Sequence, residues 1–290
     1  EDKLQGMSEM LQKMGITVNA YLSAADLQTI KKAPQAALNI VRRKKWALAM
    51  EQRFGTPFLH VADMQEWHGI EGISDLYRQI GKMLGCENAV ERVLQEEYER
   101  VVARYQELRA EFAKYKFCLI AHGIAYLPDA LRVYQQDYGL PITKICIIMN
   151  PSYQAETGLD DAMMQRFKDR IELAKAEYGC DAEILLEPSA EALREAAQSC
   201  DFVICNGHPR YAALDVPVLY NLFDRSVWSY QGFVDIMEEV WQMLQQPQRT
   251  GSSLLLSKLA YDPVFYPMRE ADKDSKASRE LYSRIWRQRK

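Results

Sequence analysis

The sequence predicts an α/β protein with two parallel-sheet domains and a helical C-terminal tail. Three observations carry that class. Short apolar runs alternate with amphipathic helical stretches, the grammar of βαβ units. The run Phe117-Cys118-Leu119-Ile120-Ala121 is continuously apolar and closes on His122-Gly123, as a strand buried on both faces does. The same grammar returns at Phe202-Val203-Ile204-Cys205, closing on Asn206-Gly207-His208. In open parallel sheets ligands lie beyond the carboxyl ends of the strands, so these two ends mark a candidate cleft.

A chain of 290 residues is long enough for two domains, each with its own core. Its composition, 48% hydrophobic and 26% charged, is that of a globular protein. A net charge of -4 and the lack of a basic stripe argue against nucleic acid as a partner. No apolar run reaches the roughly 18 residues that span a bilayer, and the start carries no signal-peptide pattern. The expectation is a cytoplasmic protein with no membrane contact. Cys86, Cys118, Cys146, Cys180, Cys200 and Cys205 form no C-x-x-C pair and no metal-ligand spacing, and read as reduced thiols. Cys118, Cys146 and Cys205 fall inside apolar strands, where a free thiol packs as a small hydrophobe.

The elements follow in order. Leu4 to Met14 is helical and ends at Gly15; Ile16–Leu22 reads as a strand. Ser23 can cap the next helix, with Asp26 completing a capping-box-like spacing, and that helix stops near Ala33-Pro34. A strand at Ala37–Val41, a helix from Lys45 to Phe54 capped by Gly55, and a strand at Pro57–Val61 complete the βαβ pattern. The chain opens on a helix with no strand before it, which suggests a longer protein or an upstream domain. Gly69-Ile70-Glu71-Gly72 reads as a loop, followed by helices from Ser74 to Leu84 and from Asn88 to Phe112. The Glu and Arg of the long helix fall at helical spacing and read as a solvated face bridging the domains. The second domain has strands at Phe117–Ala121, Ile145–Met149, Glu183–Leu186, Phe202–Cys205 and Val216–Tyr220. Helices at Asp129–Tyr138, Asp160–Tyr178 and Ala190–Ser199 lie between them, with Gly139 and Gly179 at helix ends. A last helix spans Phe233 to Leu244, and the tail beyond Pro247 is Gly/Ser-marked, then apolar, then polar. The expected domain limits are 1–113, 114–247 and a tail at 248–290.

All four histidines, His60, His68, His122 and His208, fall at or just past strand ends. Histidine is the usual acid/base near neutral pH and the commonest metal ligand, so His122 and His208 are the candidate catalytic pair. His60, His122 and His208 are candidate metal ligands; the competing reading is that they are simply polar loop residues. Arg42-Arg43-Lys44-Lys45 runs from a strand straight into a helix start, where cations oppose the macrodipole. That placement suggests an anionic ligand or partner, to which Arg210 can add. Gly123, Asn206 and Gly207 shape the strand-end turns, and Tyr230-Gln231-Gly232-Phe233 opens the last helix as a pocket wall. Neither G-x-G-x-x-G, a P-loop nor a G-x-S-x-G elbow is present.

Several stretches together resemble one family. Leu38-Asn39-Ile40-Val41, then Met50-Glu51-Gln52-Arg53-Phe54-Gly55-Thr56-Pro57-Phe58, is similar to the "NLV … ME-x-x-FGIP" passage of nitrogenase component 1 proteins. Asp201–Gly207 resembles "DLVI-x-x-G", while Val216-Pro217-Val218 and Tyr230–Phe233 resemble the "GIPF … GYxGF" close. The resemblance covers roughly residues 1–245 and implies a nitrogenase component 1-like fold, its second and third Rossmann-like domains. It implies an oxidoreductase subunit that takes electrons from an ATP-dependent iron–sulfur reductase and works with a homologous component 1 subunit. Its substrate, a small molecule or metallocofactor precursor, would lie between the α/β domains. Arg42, Arg43, Lys44, Gly123, Asn206, Gly207, Arg210, Trp228 and Tyr230 would line that site. The departures matter. Where the cofactor-holding subunit has a cluster-binding Cys this chain has about Arg43, and the cofactor's His ligand aligns near Trp228. These departures argue against dinitrogen reduction. They imply that any iron–sulfur cluster or metallocofactor is held with another domain or subunit. The alternatives are a non-catalytic scaffold for cofactor assembly, or a metal-binding module that uses the histidines alone.

Overall fold

The computed structural model describes residues 2–22, 25–61, 66–123, 126–149, 160–205, 211, 214, 216–220 and 227–245. In chain order the helices are α1 (Asp2–Lys13), α2 (Leu27–Lys32), α3 (Lys44–Phe54), α4 (Gly69–Leu84), α5 (Glu87–Phe112), α6 (Leu127–Leu131), α7 (Asp161–Glu177), α8 (Ala190–Gln198) and α9 (Tyr230–Gln245). The strands are β1 (Asn39–Val41), β2 (Phe58–His60), β3 (Phe117–His122), β4 (Ile142–Ile148), β5 (Glu183–Leu186), β6 (Phe202–Cys205) and β7 (Val218–Tyr220). The described residues divide into two compact units. Those of Glu1–Phe112, Arg132–Gly139 and Leu222–Met243 form the first, and those of Ala113–Leu131, Leu140–Asn221 and the chain beyond Leu244 form the second.

The second unit is a five-stranded, all-parallel sheet in the order β5-β4-β3-β6-β7. Its inner strands β3 and β6 are buried on both faces, as the continuous apolar runs require: every residue of Phe117–Ala121 and of Phe202–Cys205 is buried. Alternate residues sort the two faces. Cys118, Ile120, Cys146, Val203 and Cys205 pack with Leu193, Ala196 and Ala197 of α8. The chain steps outward from β3 through β4 to β5, then resumes on the other side with β6 and β7. The order therefore reverses at β3, and the neighbouring carboxyl ends of β3 and β6 form the topological switch point.

The first unit holds the two-stranded parallel sheet β1-β2 and a helical core. Ile73, Leu76, Tyr77 and Ile80 of α4, Val93, Val101, Leu108 and Phe112 of α5, and Phe233, Met237 and Val240 of α9 are all buried there. The outer face of α5 carries the expected pairs, Arg92–Glu96 and Arg104–Glu107 among them. Tyr77 donates its hydroxyl to the Trp228 carbonyl at 2.5 Å, and the Tyr230 and Ser74 hydroxyls share a hydrogen bond of 2.7 Å.

Three expectations need correction. Ile16–Leu22 is not a strand. Ile16, Val18 and Ala20 are half-buried and Thr17 and Asn19 exposed, but no described strand pairs with them. The Asn19 amide donates instead to the Lys32 carbonyl. Gly69–Gly72 is not a loop but the first turn of α4. The capping group is remote in sequence: the Asp137 carboxylate accepts the Glu71 backbone N–H. Asp129–Tyr138 is not one α-helix. It is α6 followed by a π-helical turn over Arg132–Asp137, closed by Tyr138 N–H to the Val133 carbonyl. An α-helix would place residues five apart about 140° round the axis, whereas the wider turn stacks them. Arg132 and Asp137 so meet at 2.9 Å. Ser23 lies outside the described residues; Asp26 caps α2, accepting from Thr29 N–H at 2.7 Å. The tail at 248–290 also lies outside them.

Gly69 shows how tightly the α4 cap is fitted. Its φ is +82°, and a Cβ there would lie 1.8 Å from Asp137 Oδ2. Gly85, φ +68°, has open space where a Cβ would go. Gly69→Ala should therefore cost about 2–4 kcal/mol and Gly85→Ala about 1 kcal/mol in denaturant-unfolding free energy. Equal costs for the two would show that the Asp137 contact is not what constrains position 69.

Candidate functional site

The switch point gathers histidine and tyrosine. His122 is the last residue of β3 and is half-buried, beside Ile148 at the end of β4. Gly123 follows with φ +100° and donates its N–H to the Ile148 carbonyl at 3.0 Å, turning the chain away from the sheet. That turn brings Tyr126 back: its hydroxyl accepts the His122 backbone N–H at 3.2 Å. Burial pushes the Tyr126 phenol up to about 12, so it stays protonated across the physiological range. From the other side the Tyr211 hydroxyl shares a short hydrogen bond with His122 Nε2. Tyr211 is fully buried in the core that also holds Cys118, Cys146 and Cys205. A half-buried imidazole held on Nε2 by a buried phenol is oriented, and is suited to hold or pass a proton at the sheet's carboxyl edge. Asn206, Gly207, His208 and Arg210, which follow β6 in sequence, lie outside the described residues.

The first unit has its own strand-end cluster. Val41 pairs with His60 across β1 and β2, so His60 and the Arg42-Arg43-Lys44 run share the carboxyl edge of that small sheet. All three cations are exposed, and α3 begins just after Arg43, whose side chain does not cap it. In the same unit Trp228 is buried and its indole N–H finds no hydrogen-bond partner among the described residues. Tyr230 is buried too, and burial raises its phenol above the usual range.

A family model for the nitrogenase component 1 type oxidoreductase matches residues 2–245. The chain belongs to that family. Among solved structures, nitrogenase Cp1 at pH 6.5 superposes with a TM-score of 0.55 at 15% identity, over 84% of this chain and 56% of that one. Nitrogenase Cp1 at pH 5 gives a TM-score of 0.55 at 16% identity, over 87% and 55%. At such identity the likeness establishes the fold, and the chain spans about half the length of those structures. The comparison with curated proteins returned no match. Among the described residues of this component 1-type chain, no three His, Cys, Asp or Glu side chains are grouped so as to hold a metal ion. Its described donors therefore do not by themselves fit a metal cluster. No helix among them is long and apolar enough to cross a membrane.

Sequence reasoning missed two groups of residues. Tyr126 and Tyr211 were invisible as partners of His122, although the first lies only four residues on. The other is a buried polar knot in the first unit. His68 Nε2 and the Tyr138 hydroxyl share a hydrogen bond of 2.9 Å. The Arg132 guanidinium donates to the Glu66 and His68 carbonyls, both at 3.1 Å, and pairs with Asp137. Burial, helped by the Arg132 cation, pushes the His68 imidazole down to about 3. Burial also pushes the Asp137 carboxyl up to about 7, outweighing the pull of Arg132.

These two shifts oppose each other. Asp137 takes up a proton more readily folded than unfolded, so its contribution to stability rises as pH falls from 7 towards 3.8. His68 resists protonation when folded, so its contribution falls as pH drops below 6.5. Between about pH 4 and 6.5 each state binds one proton at this pair, and the slopes cancel. Asp137→Asn removes one side of the balance. Beyond any constant offset, the variant should lose about 2 kcal/mol more than the parent between pH 7.5 and pH 5, measured by denaturant unfolding. A parallel pH dependence in the two proteins would show that Asp137 is already ionised at pH 5.

Proposed function

We propose that this chain is a component 1-like oxidoreductase subunit that accepts electrons from an ATP-dependent iron–sulfur reductase and reduces a small molecule or metallocofactor precursor. The observation that carries this reading is the family match over residues 2–245. The pairing of His122 with Tyr211 at the switch point supports it chemically, since a reduction that adds electrons needs protons delivered where the substrate lies. Here His122 holds the proton, Tyr211 keeps the imidazole in place, and Tyr126 fixes the backbone beneath it. His208, which follows β6 in sequence, is the second candidate acid/base. Arg42, Arg43 and Lys44 hold anionic groups such as carboxylates, as exposed cations at an uncapped helix start can. A homologous component 1 subunit is the expected partner, and any iron–sulfur cluster draws its ligands from that partner or from another domain.

One observation favours a second reading, a scaffold for cofactor assembly without turnover. Arg43 and Trp228 stand about where the resemblance places the cofactor's Cys and His ligands.

The test is purification without oxygen, keeping any accompanying chains, followed by iron and acid-labile sulfide analysis and an assay with ATP and an iron–sulfur reductase. Electron uptake that depends on ATP and falls 10-fold or more in His122→Ala is the expected result. Arg43→Ala should lose a retained anionic small molecule, seen by mass spectrometry of the released ligand, with the fold unchanged by circular dichroism. Iron-replete protein that takes up no electrons would overturn the enzymatic reading and leave the scaffold.

A further inference from the structure

Glu187 follows β5 at the carboxyl edge of the second unit's sheet, is half-buried, and has a φ of +50°. Among the described residues no other residue with a side chain takes a positive φ. The conformation is unfavourable for glutamate on two counts. A Cβ disfavours the left-handed region, and the following Pro188 favours extended backbone at the residue before it. Such a backbone persists only where its surroundings hold it. Here the Glu187 N–H donates to the Ile147 carbonyl at 2.8 Å, and Pro188 is buried. Ser189 then caps α8, its hydroxyl accepting the Ala192 N–H at 3.2 Å.

The side chain takes over where the backbone turns away. In a regular parallel ladder, the residue that donates to the Ile147 carbonyl would accept the Met149 N–H on its own carbonyl. Glu187 accepts that N–H on its carboxylate Oε1 instead. The other end of the same peptide group is the Ile148 carbonyl, which accepts the Gly123 N–H at 3.0 Å. The Ile148–Met149 peptide is therefore held by Glu187 from the β5 side and by Gly123 from the β3 side. Gly123 is the residue whose φ of +100° turns the chain after His122, and His122 itself pairs with Ile148.

We propose that Glu187 is a positioning residue for His122, acting through the Ile148–Met149 peptide. The inference rests on the reading above, in which His122 holds the proton for reduction. A peptide group is planar, so fixing its N–H also fixes the direction of its carbonyl. An ionised acceptor makes the Met149 bond charge-assisted and stronger than a bond between neutral groups. The carbonyl so aimed holds the Gly123 N–H, which sets how His122 leaves the ladder and keeps its imidazole against the Tyr211 hydroxyl. Remove the carboxylate, and the peptide is free to rotate. The strained backbone at 187 then has a use: it exchanges a main-chain acceptor for a side-chain acceptor with charge.

The test is long-range ¹H–¹⁵N correlation spectroscopy of the full chain with labelled histidine, at about pH 8 where neutral imidazole dominates. The His122 signals are assigned by their loss in His122→Ala. In the parent protein its two ring nitrogens should be well separated, as in one tautomer held by Tyr211. Glu187→Ala should draw them together by exchange between tautomers. Glu187→Gln keeps an acceptor oxygen at the same reach and should preserve the parent pattern. The signals of the buried His68 imidazole, in the other unit, should stay in place in both variants, which separates loss of positioning from loss of fold. The parent protein gives a check that needs no variant: the Met149 and Gly123 amides should both resist hydrogen exchange, although Gly123 lies past the end of β3. Electron uptake should fall about 10-fold in Glu187→Ala, and the loss should not add to that of His122→Ala. If the parent takes up no electrons, the reductase reading fails while the spectrum still decides the role of Glu187. An unchanged His122 pattern in Glu187→Ala, a Glu187→Gln as disruptive as Glu187→Ala, or rapid exchange of the Met149 amide would each overturn the proposal.

Discussion

The second unit depends on β3 being hydrogen-bonded on both edges, to β4 and to β6. A strand buried on both faces can leave no backbone N–H or C=O unpaired without a cost of kilocalories, so its register is closely held. With β4 leading outward on one side and β6 on the other, the strand order reverses at β3. His122 is the residue that this topology places at the carboxyl end of the central strand. Its backbone is fixed by the ladder, its N–H by Tyr126, and its ring by Tyr211, so three parts of the chain agree on one imidazole position. Preorganisation of that kind comes from the sheet rather than from the loop.

Much of this was legible in the sequence because its causes are local. Runs such as Phe202–Cys205 announce buried parallel strands, and Gly55, Gly139 and Gly179 announce helix ends, where all three take positive φ. Failures came where the deciding partner is far along the chain. The first turn of α4 needs a cap from Asp137, roughly seventy residues on, so no pattern near Gly69 signals a helix. Alternation at Ile16–Leu22 is genuine, but alternation shows only that one side faces inward; a strand also needs an edge to pair with. Of the candidate site, the placement of His122 and Gly123 could be read from sequence. The two tyrosines that hold it, Tyr126 at the main-chain N–H and Tyr211 at the ring, could not, because neither hydrogen bond follows from a local sequence pattern.

The knot around Arg132 follows the same logic in the first unit. A single guanidinium holds the Glu66 and His68 carbonyls and the Asp137 carboxylate, tying the segment before α4 to the π-helical turn. A buried ion pair of this sort gives little net stability, since desolvation consumes most of the Coulombic gain. What it gives is a single arrangement: without Asp137, Arg132 would lose the carboxylate it meets at 2.9 Å, and α4 would lose its cap. The close fit of Gly69 against the same carboxylate points the same way, because that contact tolerates no side chain at all.

In the proposed reading fold and chemistry part company in this chain, as they do wherever sites are grafted onto a shared scaffold. An arginine has no lone pair to offer a metal and stays protonated, and an indole N–H is a donor only. In the proposed reading, Arg43 and Trp228 therefore do more than delete two cluster ligands: each replaces an electron-pair donor with a hydrogen-bond donor. A position that once favoured a metal cation then favours an anion or a carbonyl oxygen. The buried Trp228 N–H, without a partner among the described residues, is such a donor. In that reading the preference at these positions is reversed while the fold is kept, so ligand class and fold change separately, and the chemistry of this chain is sought from its hydrogen-bond donors and from His122.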